Sequence, residues 1–227
     1  MSVLAHIIEA AGIATVTLAS MRPVAEKIAP PRVLHGEFPL GRPLGKPADP
    51  EFQHDVLARA FALLDAPTGP VLESHPVVIE ESTDAVSCQI PPAYDAGASP
   101  AVAEARGIRK AYDRIVARRG VTTVGRAIDA DTVPDAIEAL ERIAGGVGLK
   151  EAALPGKNTV AVCHDIRTYY EEAAVELTDG SAADGRAIEN WFFEETEAGK
   201  VVLAARKALS DQEVPFPFWF YMAPGHR

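Results

Sequence analysis

The segment Gly41-Arg-Pro-Leu-Gly45-Lys46-Pro47 places glycines and a lysine in an order that invites a phosphate-cradle reading. A Walker loop needs four residues between its glycines and a Ser or Thr after its lysine, whose hydroxyl holds magnesium. Here only three residues separate the glycines, Pro47 follows Lys46, and Pro43 removes one of the amides that would face phosphate oxygens. A looser anion site survives that objection, with Arg42 and Lys46 meeting a carboxylate or phosphate over a backbone turned at Gly41 and Gly45. The alternative is a rigid structural loop whose cations are solvated or ion-paired.

Five histidines and cysteines carry the other candidate chemistry. His35 stands at the end of an expected strand beside Gly36, close to the loop, where it would serve acid-base work, contact a ligand or simply brace the scaffold. His54, next to Asp55 in the first turn of the following helix, faces the same region, and free amides there favour an anion. Cys88 lies in an extended, proline-flanked stretch and is the candidate thiol, set against the reading of a small buried hydrophobe. Cys163-His164-Asp165 has the composition of a catalytic pair, but adjacent helical residues point about 100° apart, so a capping Asp165 beside a core cysteine is the favoured reading. Glu189, Glu194 and Glu197 with Trp191, Phe192 and Phe193 read as core aromatics and a solvated acidic face.

The elements that would position these residues follow from hydrophobic spacing and breakers. Val3, Leu4, Ile7, Ile8 and Ala11 share a helical face that ends at Gly12. The β-branched run from Ile13 to Ala19 reads as a strand buried on both faces, and a short helix then stops at Pro30-Pro31. Arg32 to Gly36 reads as a second strand, the proline-rich loop Phe38 to Pro50 follows, and Pro50 opens a helix with Val56, Leu57, Ala60, Phe61 and Leu64 inward. Strands alternating with helices imply a parallel sheet, whose carboxyl edge is the usual ligand position. The spacing predicts an α/β fold: a small parallel sheet flanked by helices over 1–66, a proline-rich linker or wrapping arm over 67–99, and a mainly helical region over 100–227. Within that last region the expected helices are Pro100 to Arg119, Pro134 to Ile143, His164 to Leu177 and Arg186 to Leu209, with a short strand at Val121 to Val124 and an aromatic tail from Val214 to Met222.

Composition excludes several classes. The net charge of -10 leaves no basic stripe to neutralise phosphates, so nucleic acid is not an expected partner. Two cysteines 75 residues apart carry neither a disulfide framework nor zinc-ligand spacing, and neither a metal nor another cofactor is expected. No apolar run approaches the roughly 18 residues of a membrane span, and the first residues lack a basic leader, so a cytoplasmic location is expected.

Glu9-Ala-Ala-Gly-Ile-Ala-Thr-Val-Thr17, Pro30-Pro-Arg-Val-Leu34 and the run from Phe38 to Gln53 resemble the C-terminal part of component B of the glycine, sarcosine, betaine and D-proline reductases, the D-proline branch most of all. The resemblance covers about the first 65 residues and implies half of a flavodoxin-like arrangement. Members of the family cleave a C-N bond reductively, with a selenocysteine or cysteine just upstream of the helix that corresponds to Ser2 through Ala11. The sequence opens at that helix, and neither Cys88 nor Cys163 matches the position of the nucleophile. The resemblance therefore implies one of three arrangements: a partner subunit supplies the thiol or selenol, a later cysteine such as Cys88 has taken over with His35, or the fold serves a non-redox lyase, binding or assembly role. In the first, the chain is a subunit of a hetero-oligomer acting on a small nitrogen-containing or otherwise activated organic compound, with Gly41, Arg42, Gly45, Lys46 and His54 lining the site. A homo-oligomer is the alternative assembly.

Overall fold

A computed structural model describes residues 2–80, 88, 90, 97–178 and 184–227. The chain divides into two compact units, Met1–Glu81 and Ser82–Arg227. The first is α/β, and among the described residues of the second the regular structure is helical.

In the first unit, helix α1 (Ser2–Ala10) precedes strand β1 (Thr17–Ala19), helix α2 (Arg22–Ile28), strand β2 (Arg32–His35), helix α3 (Pro50–Ala62) and strand β3 (Val71–Ser74). The three strands form one parallel sheet in sequence order, with Thr17 opposite Val33 and Val33 opposite Leu72. All four residues of the central strand are buried, and Leu34 joins Phe38, Val56, Ala60 and Leu63 in a small core. The carboxyl ends stand in register, Ala19 beside His35 and His35 beside Ser74, so one sheet edge gathers three chain reversals.

Two expectations change here. Residues from Ile13 onward do not all join the sheet, since only Thr17–Ala19 pairs and Ile13 is exposed. The cause is local: Glu9 accepts the Thr15 amide at 2.8 Å and its hydroxyl at 3.0 Å, tying that residue to α1 instead of to a neighbouring strand. The expected linker from residue 67 also begins with β3, an integral strand of the sheet, so the α/β unit extends past 66. Much of the rest of that expected arm lies outside the described residues.

Helices α4 (Pro100–Arg119), α5 (Val133–Ala144), α6 (Thr159–Leu177), α7 (Gly185–Asn190) and α8 (Glu197–Asp211) build the second unit around one large core. Starts and stops follow capping rules: Ser99 accepts the Val102 amide, Asn158 accepts the Ala161 amide, and Gly120 ends α4 at φ 70°. The expected helix from Arg186 to Leu209 is interrupted. Thr196 has extended backbone, donates its hydroxyl to the Phe192 carbonyl and accepts the Gly199 amide, so a wide turn over Trp191–Glu195 separates α7 from α8. The aromatic tail forms two short helical turns, Phe216–Phe218 and Phe220–Met222, and packs on its own unit through Trp219 and Met222. No helix among the described residues is long and apolar enough to cross a membrane.

Candidate functional site

The Phe38 to Pro50 loop leaves the carboxyl end of β2 and returns through successive turns, Arg42 N–H to Pro39 C=O at 3.0 Å and Gly45 N–H to Arg42 C=O at 2.9 Å. Gly41 and Gly45 adopt φ 86° and 78°, the left-handed region that glycine enters without penalty. Two aromatic rings fasten the loop. Phe38 fills the space a side chain at Gly36 would need, and Phe52 lies so close that a Cβ on Gly45 would fall 2.3 Å from its ring. Lys46 is engaged as well: its ammonium sits 5.1 Å above the Phe52 ring, and its carbonyl accepts from Gln53 at 2.7 Å. The cleft among Ala19, Ser20, Gly36, Phe38 and Pro43 has no room for a water molecule. The loop is thus packed against the sheet edge.

The sheet edge itself presents a polar relay. His35 is buried, with Nδ1 3.3 Å from Ser74 Oγ, and Ser74 Oγ accepts from Arg22 Nη1 at 2.9 Å. The Ser74 hydroxyl thus bridges the guanidinium and the His35 ring, able to donate to Nδ1 or accept from it according to the tautomer. Beside it, buried His75 lies between the rings of Phe38 and Phe52, 5.3 and 5.2 Å away. Val77 offers its amide to His75 Nδ1 at 3.2 Å, and Nε2 lies 3.0 Å from Asp55 Oδ2. His54 is exposed on α3, and its neighbour Asp55 makes the ring contact. Ser74, His75 and Arg22 escape sequence reading because they meet only once three strands are in register.

Cys88 packs against the core of the helical unit, half-buried, whereas His35 belongs to the α/β unit. Burial first, and then the charge of Glu195, push its thiol up to about 11. Cys163 is fully buried, and that burial raises its thiol much further. Asp165 caps a loop: its carboxylate accepts the amides of Gly125, Arg126, Ala127 and Ile128 at 2.7 to 3.2 Å.

The helical unit holds a groove of about 510 Å³ along one face of α6. Its floor is set by Glu172, which accepts the Thr122 hydroxyl at 2.7 Å, the Thr123 amide at 2.9 Å and the Thr123 hydroxyl at 3.0 Å. Glu172 thus takes the Thr123 amide and Thr122 Oγ1 takes the Val124 amide at 3.1 Å, two donors that a strand over Val121 to Val124 would have used, which is why that expected strand is a loop. His164, Arg167, Thr168 and Glu171 line the groove, with Val121, Val175 and Ile188 as apolar wall. Burial, reinforced by the charges of Arg126 and Arg167, lowers the His164 pKa, so its imidazole is neutral at pH 7 and meets the Thr168 hydroxyl at 3.2 Å. Burial raises Glu171, against the pull of Arg167. The helical spacing of 164, 167, 168, 171 and 172 is a polar face on a largely buried helix, a signal readable from sequence. Among the described residues no cluster of His, Cys, Asp and Glu has the geometry to hold a metal ion.

Comparison of the chain with protein-family models, with curated proteins and with solved structures gives no match. The functional reading therefore rests on the residues themselves.

Proposed function

We propose that the chain is a subunit of a cytoplasmic reductase-like complex that cleaves a bond in a small nitrogen-containing or otherwise activated organic compound, the reacting thiol or selenol being carried by a partner chain. One observation supports this above the others: neither cysteine of the chain is placed to act as a thiolate. A thiol with a pKa of about 11 is ionised in only about one molecule in ten thousand at pH 7, and Cys163 less still. Reductive cleavage of the kind the resemblance implies uses a thiolate or selenolate, so in this reading the chain takes part through binding and proton transfer. The Arg22, Ser74 and His35 relay at the sheet edge offers both, a guanidinium that an anionic group would share with Glu26, 2.8 Å from its Nε, and a hydroxyl-imidazole pair for a proton.

A second reading, a non-catalytic binding or assembly subunit, is favoured by the loop. Lys46 is turned onto Phe52 and the cleft beneath is closed, as in a braced scaffold. The two readings separate on one experiment. The tagged chain is recovered from its native cell and alkylated at pH 7, and the labelled sites are mapped. The reductase reading expects a copurifying chain that carries the fast-labelled thiol or selenol and cleaves D-proline, glycine, sarcosine, betaine or a related compound with a dithiol donor. Recovery of the chain as a homo-oligomer with no thiol-dependent turnover would leave the assembly reading.

A further inference from the structure

Helix α1 turns its apolar stripe away from its own unit. Val3, Leu4, Ile7 and Ile8, with Ala11 just past the helix, fall within one face about 140° wide at 100° per residue, and all five are exposed. Of α1 only Ala5 is buried, away from that face, and polar ties fasten the helix instead. Glu9 accepts from Arg32 Nη1 at 2.6 Å and from the Thr15 amide at 2.8 Å, and His6 Nε2 lies 3.1 Å from the Ile28 carbonyl. The stripe does not end with the helix. The Gly12 amide donates to the Glu9 carbonyl at 2.9 Å and the Ile13 amide to the Ile8 carbonyl at 3.3 Å, with Gly12 at φ 86°. Such paired bonds fold the residue after the glycine back beside the last turn, so Ile13 extends the same surface. Val3, Leu4, Ile7 and Ile13 are each 50 to 62% exposed.

We propose that this face pairs with the same face of a second copy of the chain, the two α1 helices lying antiparallel about a two-fold axis near Ile7 and Ile8. Area and charge together select that occupant. Val3, Leu4, Ile7, Ile8 and Ile13 together expose roughly 500 Å², so a symmetric pair removes about 1,000 Å² from water, the least that a specific interface needs. Each copy carries a net charge of -10, which opposes self-association wherever charged surfaces meet. The only carboxylate on α1 is Glu9, already held by Arg32, and the helix has no Lys or Arg, so here two copies meet with no like charges facing. Residue sizes match under that symmetry as well: Leu4 of one copy stands over Ala11 of the other and Ile7 over Ile8, so large meets small toward the ends and β-branched side chains fill the centre. The inference concerns α1 alone and holds whether or not another chain supplies a thiol.

The test measures the mass of the purified full chain by sedimentation velocity and light scattering. A monomer-dimer equilibrium with a Kd on the order of micromolar is expected, tightening as NaCl rises from about 0.05 to 0.5 M, because salt screens the net charge while the apolar contact uses no ion pair. Ile7→Glu, at a position 61% exposed, is expected to weaken the dimer at least hundredfold while the thermal midpoint holds. In a Cys88→Ser background, Leu4→Cys combined with Ala11→Cys is expected to form a disulfide-linked dimer on mild oxidation, and neither change alone to do so. Should Ile7→Glu fail to fold, the cross-link decides. The proposal is overturned if the chain stays monomeric up to about 200 μM in high salt, which would leave the face to a different protein, if folded Ile7→Glu dimerises as wild type does, or if the double cysteine chain does not cross-link. None of these readouts involves turnover, so failure here and failure of the reductase reading are told apart.

Discussion

Asp165 Oδ2 accepts the Ala127 amide at 2.7 Å, the shortest of the four backbone hydrogen bonds that hold residues 125–128 to the middle of α6. The side chain is fully buried. Burial alone would raise its pKa, but the four amides outweigh that and hold the carboxyl below its usual value. Asp165→Asn keeps the shape, turns an amide NH₂ toward donors and removes the charge. We expect a loss of about 3 kcal/mol in urea unfolding monitored by circular dichroism.

The same carboxylate sets an acid limit. Its folded-state pKa is depressed, so its contribution to stability is fully present above the unfolded value of about 3.9 and is lost as pH falls through the folded value. The wild type should lose stability below about pH 4 more steeply than Asp165→Asn. Equal slopes in acid titrations of the two proteins would remove this role.

Gly45 tests whether the proline-rich loop is a fixed surface. Alanine there meets both a left-handed backbone, φ 78°, and the Phe52 ring at 2.3 Å. Gly45→Ala should cost about 2 kcal/mol or more in chemical unfolding, and Phe52→Leu in the same background should recover part of it by clearing the contact. Unchanged stability in Gly45→Ala would mean that the loop is not held as described.

Much of this architecture was legible before any coordinates. Pro100, Gly120 and Gly145-Gly146 placed α4 and α5 closely because such signals act locally, whereas α6 starts at Thr159, ahead of the expected His164, on an Asn158 cap that the reading passed over. The breaks were harder. Thr196 followed by Glu197 is a capping signal inside a helical pattern, and its weight came from Phe192 and Gly199 approaching each other closely. Strand β3 has four residues, half of them exposed, and no alternating pattern to announce it. At the site, the loop and His35 were visible as residue types, while Ser74, His75 and the Arg167-Glu171 pair owe their meaning to register and helix packing. The apolar face shared by Val3, Leu4, Ile7 and Ile8 on α1 was legible as a helical stripe, but that it is exposed was not.

Cysteine reactivity separates the two thiols from any catalytic one. Iodoacetamide at pH 7.5 should label Cys88 at least a hundredfold more slowly than a model thiol, with the rate rising as pH approaches 11, since burial and then Glu195 disfavour the thiolate. Cys163 should label only after unfolding. Mass spectrometry of a labelling time course reads both.

The central claim is that this chain contributes no reacting thiol. The most direct measurement is the reductive turnover of the complex recovered on tagged Cys88→Ser chain, set beside the complex recovered on wild type. Rates within about twofold of each other are predicted, together with no turnover by the isolated wild-type chain. Turnover by the isolated chain, abolished in a folded Cys88→Ser protein, would contradict the account.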